Sequence, residues 1–188
     1  MSVLSYPVRS VVLVAGLPGA GKTTLLRRVG LGGRARVLDT DDVRAGGARW
    51  RPWVYLRHYA RLFQAVGGEE AVVVHGRGTR RPARRLLTAL ARGTGREAHL
   101  LLLDVDRETA EAGQRERGRR VSRRELDAEA LGWQVLLDRL GRRPGADDPL
   151  GEGWSSVTVL DRRGAGAVAL MDFLPTPGAD EGVLLLAH

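Results

Sequence analysis

Eight consecutive residues, Gly16-Leu17-Pro18-Gly19-Ala20-Gly21-Lys22-Thr23, follow the pattern G-x-x-x-x-G-K-T. Glycines let successive backbone N–H groups turn inward on anionic oxygens, and a helix opening directly afterwards adds the partial positive charge of its N-terminus. Gly16, Gly19, Ala20 and Gly21 would supply that backbone cradle. Lys22 is placed to reach the β and γ phosphates of a nucleoside triphosphate, most naturally ATP. The Thr23 hydroxyl is placed for Mg²⁺, and Thr24 for the α phosphate. Lys22 is the only lysine among 30 basic residues. A chain that uses arginine everywhere else thus has a compact point charge at the one position where phosphate chemistry asks for it.

A second group follows about twenty residues later, in Asp39-Thr40-Asp41-Asp42-Val43-Arg44. Three carboxylates and an arginine are delivered where a second strand would end beside the phosphate loop. An alternative for these acids is helix capping, which stabilises by about 1 kcal/mol. Further on, Arg115, Arg117, Arg119 and Arg120 surround Gly118. Such a run is either a charged surface, balanced by Asp106, Glu108, Glu111 and Glu116, or an anion-binding segment.

Taken together, these motifs resemble the P-loop kinases, or AAA-type ATP-binding proteins, of the polynucleotide-kinase and zeta-toxin branch, over roughly residues 8 to 162. The resemblance implies that Asp41 is the general base toward an acceptor hydroxyl and that Arg44 orients the acceptor. It also implies a small arginine-bearing lid at about 113–124, in which Arg115, Arg117 and Arg119 stabilise charge on the transferring phosphoryl group while closure excludes water. Many relatives place a Mg²⁺-supporting Asp after the third strand. Here the corresponding stretch reads His75-Gly76-Arg77-Gly78-Thr79, so the metal falls to Thr23 with Asp39 or Asp41. Asp104 imitates the missing acid but follows the fourth strand. His75 and Arg80 are left as acceptor-side candidates. Of seven arginines between Arg77 and Arg96, four follow a helical pattern, which a solvated face, an anionic acceptor or a nucleic-acid backbone would each explain.

The elements that must position these residues are legible as apolar runs. Val11–Ala15, Val37-Leu38, Ala71–Val74, Leu100–Leu103 and Val157–Leu160 read as strands, with helices between them. That alternation predicts an α/β, P-loop three-layer sandwich: a five-stranded, mostly parallel sheet with helices on both faces. One helix is expected from Lys22 to Val29. Another carries the apolar stripe Ala83, Leu86, Leu87, Leu90, with Arg81, Arg84, Arg85 and Thr88 opposite. A third, opened by the capping box Ser122-x-x-Glu125, carries Leu126, Ala130, Trp133, Leu137 and Leu140 and closes at Gly141. Trp53, Leu56, Ala60 and Phe63 form a weaker stripe. Gly141–Gly153 reads as a loop, and the tail 175–188 has no readable role.

Length and composition set the outer limits. The 188 residues fit one domain spanning 1–188. The chain has no cysteine, which removes disulfides and thiolate chemistry and suits a reducing cytoplasm. No apolar run approaches the roughly 20 residues of a membrane span. Absence of Asn removes the guanine-reading Asn-Lys-x-Asp element of GTPases and the catalytic-loop Asn of protein kinases. The expected activity is phosphoryl transfer from MgATP to a small-molecule acceptor. The net charge of +8 keeps nucleic acid, as in a 5′-hydroxyl polynucleotide kinase, as an alternative, and a nucleotide-binding regulator or ATPase as another. Nothing in the sequence specifies an oligomeric state.

Overall fold

Three strands with no exposed position decide the architecture. VVLVAG, AVVVHG and AHLLLL are buried throughout, the pattern of strands covered on both faces. The computed structural model describes residues 2–31, 35–39, 52–116, 122–143 and 146–175; the side chains of Asp39, Arg123 and residues 52–59 lie outside that description. In chain order the elements are β1 (Ser2–Pro7), β2 (Val11–Gly16), α1 (Lys22–Arg28), β3 (Gly30–Leu31), β4 (Ala35–Asp39), α2 (Pro52–Gly67) and β5 (Ala71–Gly76). They continue as α3 (Arg81–Gly93), β6 (Ala98–Leu103), α4 (Arg107–Glu116), α5 (Arg123–Gly141), β7 (Ser156–Leu160), α6 (Arg162–Ala167) and β8 (Val168–Leu174).

The main sheet has the order β4-β5-β2-β6-β7, and every pairing is parallel. All five strands are those expected from the apolar runs. From β2 the chain first moves outward to β4 and then returns rightward, so right-handed crossovers put α1 on one face and α2 and α3 on the other, where those two touch. β2 therefore lies at the centre, with its C-terminal end at the point where the chain reverses direction, the usual place for a ligand in an open α/β sheet.

A second sheet, β1-β8-β3, was not expected from the sequence. Its strands are short or half-exposed and carry no long apolar run. β8 directly follows the six-residue helix α6. It docks through Tyr6 and Phe173, whose rings lie 6.0 Å apart, with Tyr6 also 4.9 Å from the His99 ring at the start of β6. Burial raises the Tyr6 phenol to about 12 and lowers His99 to about 4. His99 is thus neutral in the fold, with Nδ1 at 2.9 Å from Ser156 Oγ. Above pH 6.5 His99 is neutral folded or unfolded. Between 6.5 and 4 only the unfolded chain takes up the proton, so stability falls with pH over that window, by about 3 kcal/mol in all. Denaturant melts of wild type and His99→Gln across this range are expected to diverge toward acid, the variant being the flatter. Parallel curves would remove His99 as the cause.

Two helices turn a different face to the core than their apolar spacing suggests. In α3 the buried positions are Arg84, Leu87, Thr88 and Ala91, while Leu86 is 41% exposed. Arg84 can face inward because Glu152 neutralises it: Nε and Nη2 donate to Oε2 and Oε1, each at 2.7 Å. Its Nη1 donates to Gly78 O at 2.6 Å and Thr79 O at 3.1 Å. Trp154 Nε1 and Thr88 Oγ1 complete the set on Glu152. Glu152→Ala leaves a buried guanidinium without its counter-charge and is expected to cost about 3–5 kcal/mol, read as a lower denaturation midpoint. Among the described side chains of α2, Leu62, Ala65 and Val66 are buried, Ala60 is exposed and Phe63 is 62% exposed. Trp53 and Leu56 fall among the side chains outside the description. By contrast, α5 buries Leu126, Trp133 and Leu136, and the Glu125 N–H donates to Ser122 Oγ at 3.2 Å, as the capping box requires. Among the described residues, no helix is long and apolar enough to cross a membrane.

Candidate active site at the phosphate-binding loop

The loop between β2 and α1 is held in shape from two sides. Gly19 and Gly21 take φ of 91° and 90°, the left-handed region that favours glycine. Gly21 is also the N-cap of α1 and offers no side-chain acceptor, and the helix opens there with the partial positive charge that favours an anion. α4 packs directly against the loop. A Cβ on Gly19 would overlap Ala110 O, and one on Gly113 would overlap Gly19 O. Gln114 Nε2 adds a hydrogen bond to Pro18 O at 3.1 Å. Gly113 sits inside a helix, where glycine is otherwise unfavourable, and that was the one signal in the sequence for this contact. Gly113→Ala forces the loop or α4 to shift; overpacking of about 1–3 kcal/mol converts to roughly 5–100-fold weaker nucleotide binding, measurable with a fluorescent ATP analogue.

Lys22 is only 4% exposed, and its Nζ donates to Gly16 O at 2.8 Å and Leu17 O at 3.0 Å. The ammonium is folded over the loop that it serves. Thr23 is half-buried and Thr24 exposed on the next positions of α1. Beside Ala20, Gly21 and Thr24 opens a cleft of about 340 Å³ running between α1, α4 and α6, with Gly113 on one wall and Ala165 and Gly166 on the other. Its small residues leave room for a flat ring system. Arg28, at the end of α1, donates to the carbonyls of Ala165, Gly166 (2.7 Å) and Val168 (3.2 Å), which fixes α6 as the back wall. Thr109 lines the same cleft and caps α4 through Asp106; hydrogen bonds from the Thr109 N–H and hydroxyl hold that carboxyl below its usual range.

On the other side of β2, the last but one residue of β5 is His75, which is buried and in register with Val14 of β2 and Asp39 of β4. The structure thus brings the ends of β4, β5 and β2 together in one row. Arg80 is exposed at the N-cap of α3, and Arg115 is exposed in the last turn of α4. Asp41, Arg44, Arg117 and Arg119 lie outside the described residues, as does the middle, 117–121, of the segment 113–124 expected to form a lid. Asp104 directly follows β6, across β2 from β5, and accepts a hydrogen bond from Trp133 Nε1 at 3.0 Å. It anchors α5. Of the arginines between Arg77 and Arg96, Arg84 is tied to Glu152, Arg96 to the carbonyls of Gly68 and Glu70, and Arg77 to Glu125 and Glu129, while the half-exposed Arg81 lies 3.5 Å from Glu152.

Residues 11–139 match the sequence profile described as AAA domain. The chain belongs to this family. Among curated proteins none matches this AAA domain at a significant level. Its fold is shared with solved structures of low identity. A gluconokinase from Sinorhizobium meliloti 1021 is 16% identical, with 83% of this chain and 84% of that one covered, at a TM-score of 0.50. A chain of the PezAT chromosomal toxin-antitoxin system of Streptococcus pneumoniae is 16% identical, with 85% and 71% covered, at 0.61. A chain of the Pnkp1/Rnl/Hen1 RNA repair complex is 14% identical, with 71% and 46% covered, at 0.57. This AAA domain is therefore a P-loop, kinase-like nucleotide-binding fold.

Proposed function

We propose that this AAA domain is an ATP-dependent phosphotransferase that moves the γ-phosphoryl group of ATP to a hydroxyl of a small-molecule acceptor. The observation that supports this reading is the placement of Lys22, buried at the start of α1 with Nζ folded back on the end of β2, with only β5 between β2 and the β4 that leads into Asp41. ATP lies with its phosphates along the N–H groups of Gly19 to Thr24 and its base in the cleft beside Gly113. Thr23 and Asp39 offer hard oxygen donors of the kind Mg²⁺ takes, and that ion would neutralise phosphate charge when bound. Asp41 accepts the proton as the acceptor oxygen forms its bond to phosphorus and the bond to the ADP oxygen breaks. Arg44, His75 and Arg80 orient the acceptor. Arg115, Arg117 and Arg119 spread the developing charge, with Arg117 nearest the chemistry.

Incubation with γ-labelled ATP, Mg²⁺ and a panel of hydroxyl metabolites tests the reading, a 5′-hydroxyl oligonucleotide being run in parallel. Label on a metabolite is the expected result. Label on the oligonucleotide alone replaces the acceptor by nucleic acid, a second reading favoured by exposed Arg80, Arg81 and Arg85 at the start of α3. Slow phosphate release with no labelled product, unchanged by Asp41→Asn, leaves a nucleotide-binding regulator or ATPase instead.

A further inference from the structure

α5 carries more apolar residues than its buried face can use. Leu126, Trp133 and Leu136 are buried, and Ala130, Leu137 and Leu140 pack against the core beside them, so that side of the helix is occupied. Leu131 and Val135 point the other way. Leu131 is 64% exposed, more than any other large apolar side chain among the described residues, and Val135 is 46% exposed. Ala128, just under one turn before Leu131, is exposed as well. At about 3.6 residues per turn these three form a stripe opposite Leu126, Trp133 and Leu137.

Charges flank this stripe symmetrically. Arg124 lies seven residues before Leu131 and Asp138 seven residues after it, and seven residues make almost two turns, so all three stand on one line of the helix. Both charged side chains are exposed, and neither has an ion pair or hydrogen bond with another described residue. Asp127, off to the side, is already taken by Arg107 at 2.5 Å.

We propose that α5 is a self-association surface, on which two copies of this chain pair their α5 helices antiparallel about a twofold axis at Leu131, with Arg124 of each copy against Asp138 of the other. The pairing does not depend on phosphoryl transfer. A twofold contact is self-complementary, so with the axis at Leu131, positions equally far before and after it face each other and the Arg124–Asp138 contact forms twice. A parallel pair would set Arg124 against Arg124 and Asp138 against Asp138, repulsive at both ends. Ala128 is small enough to let the helices approach, and Val135 of the second copy fills the space beside it. One helix pair is a small interface, and a net charge of +8 on each copy opposes association, so the dimer is weak, with a dissociation constant on the order of 10–100 μM.

Sedimentation equilibrium of the full chain up to about 300 μM should show monomer and dimer in exchange. Leu131→Gln is expected to raise the dissociation constant at least about tenfold. Arg124→Glu or Asp138→Arg alone should weaken the dimer about 3–10-fold, and the two together, which swap the signs, should return it to within about threefold of wild type. All three positions are exposed, so thermal melts of these variants should match wild type. The chain has no cysteine, so Leu131→Cys under mild oxidation should give a covalent dimer, since a residue on the axis meets its own copy. A chain still monomeric at about 300 μM, a Leu131→Gln protein that dimerises as well as wild type, or a double reversal as weak as the single ones overturns the pairing. The first of these leaves the stripe to a partner of different sequence.

Discussion

Replacing Lys22 by alanine is expected to lower phosphoryl transfer by about 10²–10³-fold. Lys22 Nζ already lies within hydrogen-bonding distance of the Gly16 and Leu17 carbonyls, so the charge waits inside the loop at almost no reorganisation cost. Alanine removes the ammonium buried in this loop. It also removes a donor from the Gly16 carbonyl, Leu17 O keeping the Ala20 N–H at 3.0 Å, and the loss costs about 1–3 kcal/mol of stability, so circular dichroism must accompany the assay. Lys22→Arg should fail nearly as badly, because a planar fork does not fit where a compact ammonium is folded over the loop. A Lys22→Ala protein that folds normally and keeps more than a tenth of wild-type transfer would remove this lysine from the chemistry.

Asp41→Asn is the second large effect, an expected loss of about 10²–10⁴-fold in transfer with nucleotide affinity unchanged. The amide keeps the size of the carboxylate and loses its ability to take a proton. The argument for its position comes from register: Asp39 ends β4 opposite His75, and Asp41 is two residues beyond. If binding of an ATP analogue weakens in step with transfer, Asp41 serves the nucleotide or its metal and not the acceptor. If neither changes, the residue is a helix cap.

The main sheet could be read from the chain because its strands are buried on both faces, and burial on both faces writes itself as unbroken apolar runs. The phosphate loop was legible for a different reason: its backbone conformations need glycine, and its charge needs lysine. What the sequence concealed are contacts between distant segments. Arg84 looks like surface on α3, and nothing near it announces Glu152, 68 residues away. Leu86 looks like core and is exposed, because the helix rolls to satisfy that ion pair. Arg77 was one arginine in a basic run until Glu125 and Glu129 appeared opposite it. The strands β1 and β8 escaped notice because half-exposed pairs of six or seven residues carry little periodic signal.

That last pair has a consequence during synthesis. β1 pairs with β8 in register Ser2↔Val168 to Pro7↔Leu174. β1 thus waits for a partner strand made some 160 residues later, and at about 5–20 residues per second the interval is roughly 8–30 s. Through that time the edges of β1 are unpaired while Tyr6 has no Phe173 to pack against. The nascent chain is open to strand-to-strand association at β1, and a translational pause just before Val168 would prolong the exposure.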